Sequence, residues 1–233
     1  MRTIEDVYSL GITPKSRILV CMPHPDDEAV FLSGTLYELS SRKVYVRVLT
    51  FSRGEKSTLR YGLSNNTNLG EVRSVELKNA LRILGIEDLK IFDCGDGNLE
   101  NQEKEICYIL RKEINKYKPT HLVTLEPNGI YGHPDHIALS KFVSGISNKS
   151  IETLYATVFP NFILPESASK MAKKKVRPIK PQFELKLRFT GSIKKLLALK
   201  SHKSQFRIDF LHPQSFLFFL KNKMLTSEFF FYK

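Results

Sequence analysis

Short apolar runs alternate with longer amphipathic segments up to residue 159, and this alternation restricts the fold more than any other feature. The apolar runs predict strands at 17–22, 44–51, 89–92, 121–125 and 153–159. The segments between them predict helices at 26–41, 69–84, 104–117 and 134–146. Strands that alternate with helices of this length pair in parallel through right-handed crossovers. The sequence therefore predicts an α/β fold, with an open, mostly parallel, Rossmann-like sheet and helices on both faces.

The rhythm changes after residue 159. Residues 160–182 contain four prolines and a run of three lysines, and we expect a loop excursion within a single domain that spans 1–233. Residues 182–189 alternate polar and apolar side chains like an edge strand, and 192–206 form a basic amphipathic helix. Residues 183–233 are expected to be a basic, Phe-rich part of the same domain. The tail is aromatic enough to need covering by the core, with Phe216, Phe218, Phe219, Phe229, Phe230 and Phe231.

The hydropathy pattern and the cysteines indicate the cellular compartment. No apolar stretch approaches the roughly 18 uncharged residues of a membrane span, and the N-terminus lacks the apolar core of a signal peptide. The three cysteines, Cys21, Cys94 and Cys107, contain no C-x-x-C pair, so neither a disulfide framework nor a zinc knuckle is implied. We expect a cytoplasmic protein with reduced thiols.

Positive charge is concentrated near the end of the chain. Residues 170–233 hold 16 Lys and Arg against three acids, whereas residues 1–169 hold 20 basic and 21 acidic residues. Such a region attracts phosphate-bearing substrates, nucleic acid or anionic lipid, although a solvated lysine-rich surface explains it equally well. Peripheral contact with a membrane therefore stays open. No nucleic-acid partner is expected, and the oligomeric state is undetermined.

Two clusters of histidine and aspartate carry the chemical information. The first, Pro23–Glu28, directly follows the first predicted strand, and the second, His133–His136, follows the strand at 121–125. Loops at the carboxyl ends of parallel strands line the ligand crevice of an α/β sheet. Either motif alone could be a turn or a set of first-turn acids. Their placement on one predicted edge favours a shared metal site.

The donor types favour zinc. Imidazole nitrogen offered together with carboxylate oxygen suits zinc better than magnesium, and a catalytic zinc typically has about three protein ligands. We assign these ligands to His24, Asp27 and His136, for one zinc ion per chain.

Three polar side chains of the clusters are then left for hydrolysis. Asp26 adjoins a ligand and can take the proton of zinc-activated water as general base. His133 can protonate the leaving nitrogen or stabilise the oxyanion, and Asp135 can orient the His133 imidazole.

The same residues resemble the PIG-L/LmbE family of zinc-dependent N-acetylglucosaminyl deacetylases. The family's (A/P)-H-P-D-D-E motif corresponds to Pro23–Glu28, and its H-P-D-H motif to His133–His136. Ser52–Glu55 resembles a T-R-G-E element. Two weaker elements extend the resemblance over about residues 16–210, namely Arg73 with Glu76, Ala80, Leu84 and Gly85, and Ala198–Gln205.

The resemblance implies the same three ligands and the same roles for Asp26, His133 and Asp135. It adds Arg53 as a substrate contact, although an ordinary surface arginine is an equal alternative. It implies a zinc-dependent N-deacetylase that removes acetyl from an N-acetylglucosamine-type conjugate, whose remaining part could be anionic or lipid-linked. Lys56 departs from the small residue of many relatives and puts the substrate loop in question. The alternative is a non-catalytic, metal-containing module that binds anionic glycolipid, a membrane surface or nucleic acid through the basic C-terminal region.

Overall fold

The computed structural model of the protein describes residues 1–147, 150–162, 176–208 and 213–232. Eight strands in these residues form one sheet: β1 (Arg2–Ile4), β2 (Arg17–Met22), β3 (Tyr45–Thr50), β4 (Leu89–Ile91), β5 (His121–Leu125), β6 (Glu152–Thr157), β7 (Phe183–Lys186) and β8 (Ser227–Tyr232). The helices are α1 (Asp27–Phe31), α2 (Ser33–Ser41), α3 (Leu69–Ile83), α4 (Glu103–Tyr117), the single turn α5 (Gly129–Gly132), α6 (Pro134–Ile146), α7 (Phe189–Ser201) and α8 (Pro213–Lys221). No helix among the described residues is long and apolar enough to cross a membrane.

The strand order is β1-β7-β8-β6-β5-β2-β3-β4. Five of the neighbouring pairs are parallel, and only the two pairs that include β8 are antiparallel. The predicted open and mostly parallel α/β sheet is therefore confirmed. The five predicted strands between residues 17 and 159 are present with ends that differ by at most two residues.

Helices cover both faces of the sheet, as predicted. One buried apolar cluster joins the sheet to α1, α2, α3 and α7, and a second joins its other face to α4 and α6. The cap of α3 also matches the sequence, because the Asn68 side chain accepts a hydrogen bond from the Glu71 amide at 3.3 Å. Each helix thus buries one apolar stripe against a sheet face.

The predicted helix at 26–41 is wrong in one respect, because it is broken at Leu32 (φ −133°, ψ −2°). The amides of Gly34 and Thr35 donate to the Glu228 carboxylate at 2.8 and 2.9 Å. Glu228 is also 2.7 Å from the buried ammonium of Lys195. A buried anion at a helix N-terminus is stabilised by the free amides there, so a second helix starts at this point.

Several of the C-terminal predictions need correction. The strand predicted as an edge at 182–189 is β7, which lies inside the sheet. It pairs with β1 on one side and with β8 on the other, and both strands come from distant parts of the chain. The helix predicted at 192–206 runs instead over Phe189–Ser201. The lysine run lies outside the described residues, as does most of the predicted excursion. The tail is covered only in part, because Phe219 and the three phenylalanines of β8 are buried whereas Phe216 is 39% exposed.

The sheet brings the two histidine-aspartate clusters together. β2 and β5 are direct neighbours, and the chain leaves β2 toward β3 on one side and β5 toward β6 on the other. In open α/β sheets, this reversal of strand order opens a crevice at the carboxyl ends of the strands. Both clusters begin at that crevice.

Candidate metal centre

Asp27 lies at the centre of the cluster, between two imidazoles. Its Oδ2 is 3.2 Å from His24 Nδ1, and its Oδ1 is 3.4 Å from His136 Nε2. All three side chains are buried. The first turn of α1 supplies Asp27, the end of β2 leads to His24, and the first turn of α6 supplies His136.

These two separations are close to those expected between neighbouring ligands of a zinc ion. Zinc bonds of about 2.0–2.1 Å at tetrahedral angles place neighbouring donor atoms about 3.3 Å apart. The nitrogen of His136 that is directed at the cluster is Nε2, which faces Asp27. Among the described residues, two sets of donors have their atoms within 4.8 Å of one another: His24 with His133 and His136, and His24 with Asp96 and Asp135. Asp27 belongs to neither set.

The far side of the His24 ring contacts two carboxylates. Its Nε2 is 3.1 Å from Asp135 Oδ2 and 3.2 Å from Asp96 Oδ1. An Nε2–H that donates to a carboxylate directs Nδ1 toward Asp27, and Nδ1 can offer its lone pair to a metal once its own proton has left; this is the usual arrangement behind a histidine that binds a metal. Asp135 and Asp96 therefore set the orientation of His24.

The contacts of Asp135 differ from the predicted ones. Its carboxylate accepts hydrogen bonds from the amides of Gly97 at 2.7 Å and Leu99 at 3.1 Å, in addition to the His24 contact. It is the Asp135 backbone amide, not the carboxylate, that contacts His133, by donating to Nδ1 at 3.2 Å. His133 is the cap residue of α6, so its Nδ1 faces the first amides of that helix. This bond leaves the imidazole proton of neutral His133 on Nε2.

The electrostatics of the cluster favour a positive charge. Burial alone would lower the pKa of His24, but Asp135, Asp27 and Asp96 together raise it above its usual value. Burial likewise opposes the ionisation of Asp27, yet the charges of His136 and His24 hold its pKa well below its usual range. Burial lowers the pKa of His136 to about 4, so this imidazole is neutral at physiological pH. A neutral imidazole beside an ionised carboxylate is the form that metal binding requires.

Asp26 has an unusual backbone and a charged partner. Its φ is 123°, in a region that residues other than glycine rarely occupy, and its side chain is 18% exposed. Asp26 Oδ2 lies 3.0 Å from Arg73 Nη2. Burial raises the pKa of Asp26 to about 6, while Arg73 opposes this shift and Asp27 adds to it.

Arg73 ties three segments of the site together. Besides Asp26, its guanidinium donates to the carbonyls of Pro25 and of Gly54, the latter at 2.8 Å. Gly54 has a φ of +65°, and a Cβ added there would overlap the guanidinium, so glycine is required on both counts. Arg73 is 4% exposed, so its contacts are shielded from solvent.

We expect Arg73→Met to lower the free energy of unfolding by about 3 kcal/mol or more, because a buried charge loses its partner. Urea denaturation measures the change. Arg42→Met is the matched control: Arg42 pairs with Asp6 at 3.1 Å near the surface, and an exposed pair contributes about 1 kcal/mol or less. Equal losses in the two variants would contradict the importance given to Arg73.

Arg53 lies apart from the cluster. Its side chain is 45% exposed, and it forms an ion pair at 3.4 Å with Asp93, whose side chain is also on the surface. The structure thus brings together six of the seven residues singled out from the sequence and leaves Arg53 at the rim.

Three neighbours of the cluster were not predicted to belong to it. Asp96 follows β4, so the rule that placed the two histidine-aspartate clusters at the carboxyl edge could have found it as well. Tyr131 lies in the turn before His133, with its ring centroid 5.9 Å from that of His133 and 5.8 Å from that of His136. Arg73 was noted only as part of a family element, because a helix position alone does not reveal which carboxylate it meets.

Comparison with known proteins adds to this geometry. A family model described as PIG-L: GlcNAc-PI de-N-acetylase matches residues 19–147. A probable N-acetyl-alpha-D-glucosaminyl L-malate deacetylase 2 of Bacillus anthracis is 30% identical over 196 residues, covering 81% of this chain and 81% of that protein. A 1D-myo-inositol 2-acetamido-2-deoxy-alpha-D-glucopyranoside deacetylase of Thermobifida fusca is 24% identical over 81% of this chain and 83% of its own length.

Solved structures share the fold. The N,N'-diacetylchitobiose deacetylase from Pyrococcus horikoshii superposes with a TM-score of 0.63 at 23% identity, covering 94% of this chain and 84% of that one. The A40926 pseudoaglycone deacetylase superposes with a TM-score of 0.71 at 19% identity, covering 93% of this chain and 98% of that one. The matched region contains both histidine-aspartate motifs, and the chain belongs to the PIG-L family of de-N-acetylases.

Proposed function

We propose that the protein is a zinc-dependent hydrolase that removes the acetyl group from an N-acetylglucosamine-type sugar conjugate. The observation that carries the proposal is the placement of Asp27 between His24 Nδ1 and His136 Nε2, beside a partly exposed Asp26. Family membership supports the reaction, and the donor set supports the metal. The alternative of a non-catalytic binding module gives no role to Asp26, which a simple metal loop would not need.

His24, Asp27 and His136 would hold the ion. A divalent zinc bound there supplies Lewis acidity, which polarises an amide carbonyl and makes water easier to deprotonate. Asp26 is the proposed general base. Arg73 holds one of its oxygens at 3.0 Å, and the exposed part of the side chain remains for a proton from water.

His133 would act on the other side of the reacting amide. With Nδ1 engaged by the Asp135 amide, its Nε2–H can donate to the developing oxyanion or to the leaving nitrogen. Asp135 acts through its two other contacts, by orienting His24 and by fixing the loop at Gly97 and Leu99.

The substrate class follows from relatives rather than from geometry. Their names give N-acetylglucosaminyl malate, an inositol glycoside of acetylated glucosamine, and N,N'-diacetylchitobiose. The part common to all three is an acetylated glucosamine linked through its anomeric carbon. We propose that the exposed Arg53 contacts the remaining part of the conjugate. An anionic group in that part would favour the contact.

Acetate release tests the proposal. The protein is incubated with each of these three conjugates and with free N-acetylglucosamine, with added zinc or with a chelator. We expect release from at least one conjugate, lost on chelation and restored by zinc, with about one zinc per chain. No acetate from any acetylated glucosamine, or release that chelation leaves unchanged, would refute the function proposed.

A further inference from the structure

The backbone conformation of Asp26 needs stabilising contacts. Its φ of 123° and ψ of −25° are unfavourable for a residue with a side chain, and such conformations persist only where the surroundings enforce them. The Asp26 amide donates to Glu28 Oε2 at 3.0 Å. Arg73 holds the side chain and the preceding carbonyl, whereas Glu28 holds the amide.

Glu28 is itself held by a residue from the far end of the chain. Its Oε1 lies 2.8 Å from His202 Nε2, and both side chains are completely buried. A carboxylate with one oxygen fixed in this way keeps its other oxygen on the Asp26 amide. Among the residues that the structure describes, His202 Nδ1 has no hydrogen-bond partner, and the bond to Glu28 is the polar contact of the ring.

The chain around His202 is firmly attached to two other elements of the site. The Ser204 amide and hydroxyl donate to the Glu76 carboxylate on α3 at 2.8 and 2.7 Å. Gln205 Oε1 accepts from the Ser57 hydroxyl at 2.8 Å. We name residues 202–205 the clamp. It joins α1, α3 and the loop after β3, so the position of His202 is determined by several bonds.

We propose that His202 is a positioning residue for Asp26: its buried imidazole fixes Glu28, and the Glu28 carboxylate holds the Asp26 amide in the conformation that directs the base. His202 touches neither substrate nor the reacting atoms in this account. The proposal rests on the function proposed above, with Asp26 as the base. It gives the clamp a role in turnover as well as in stability.

Two variants of His202 separate positioning from packing. His202→Leu fills similar space without a donor, and His202→Gln keeps an N–H that can reach Glu28. We expect His202→Leu to lower kcat about a hundredfold, as misplacement by about 1 Å can do, with KM and bound zinc unchanged. His202→Gln should recover most of the loss. The assay uses the conjugate that the wild-type protein hydrolyses fastest, with rates normalised to zinc content.

The matched control is His121→Leu. His121 is also buried and lies 3.6 Å from a glutamate, Glu152, but at the opposite edge of the sheet. We expect it to lose stability in urea without a change in kcat. If His202→Leu does not fold, Glu28→Gln provides the second route, since it keeps the shape and weakens the hold on the amide. Its kcat should then fall while zinc is retained.

The outcomes also distinguish this inference from the proposed function. An inactive wild-type protein, or a fully active Asp26→Asn variant, would overturn the function and this inference with it. If Asp26→Asn abolishes the wild-type activity but His202→Leu or Glu28→Gln keeps the wild-type kcat, the positioning role alone is overturned. A loss that His202→Gln does not restore would reduce His202 to a packing residue and overturn it too.

Discussion

Replacing Asp26 by Asn is expected to lower kcat by about a hundredfold to ten-thousandfold, the range attributed to a general base, while zinc stays bound. Asn cannot accept a proton at neutral pH, yet it can still accept a hydrogen bond from Arg73. It is also among the residues that tolerate a positive φ, so the backbone at 123° should survive the change. Acetate release and zinc content are the measurements.

The design of this variant matters because Ala would mix two effects. Removing the side chain at this φ would add strain and leave Arg73 buried beside an empty space. Asp88→Asn is a suitable control, since Asp88 pairs with Arg47 on the surface at 2.9 Å. Turnover by Asp26→Asn at the control rate would exclude Asp26 as the base.

Replacing His136 by Ala is expected to remove the metal itself. His136 Nε2 faces Asp27 at 3.4 Å, and its loss would leave one imidazole and one carboxylate, too few for a catalytic zinc. Loss of an outer-shell partner already weakens metal binding about 10–100-fold, so the loss of a ligand should exceed this. After dialysis, the variant should hold far less than one zinc per chain and release no acetate.

His121→Ala controls for the general effect of deleting a buried histidine, because His121 lies at the start of β5, away from the crevice. It should retain zinc and activity. A His136→Ala protein that keeps a full equivalent of zinc would move the ligand assignment to another donor group, such as His24 with Asp96 and Asp135.

Much of the fold followed from local patterns. Buried parallel strands have continuous apolar runs, and their helices have apolar stripes, so the two periods separate cleanly between residues 17 and 159. The neighbouring positions of His24 and His136 then followed from one rule about the carboxyl ends of strands. The same rule applied to the loop after β4 leads to Asp96.

The remaining features depend on contacts between distant residues. The break at Leu32 depends on Glu228, which lies 194 residues from Gly34. The hold on Glu28 depends on His202, 174 residues away. Glu228 has no local pattern that distinguishes it from an ordinary strand residue, and the family element that contains His202 does not reveal that this histidine meets Glu28. For the same reason the family element that contains Arg73 could not reveal its contact with Asp26, and Arg53 was singled out instead.

β1 pairs with β7, so that Arg2 lies opposite Phe183. This pairing and the distant contacts above affect the rate of folding. Contacts of such sequence separation require large loops to close before they contribute energy, and proteins dominated by them fold slowly. Since β2 and β5 are also far apart in the chain, a site that needs both His24 and His136 takes its final geometry only when these central strands have paired. An ion that binds this geometry and not the unfolded chain would therefore stabilise the pairing of β2 with β5.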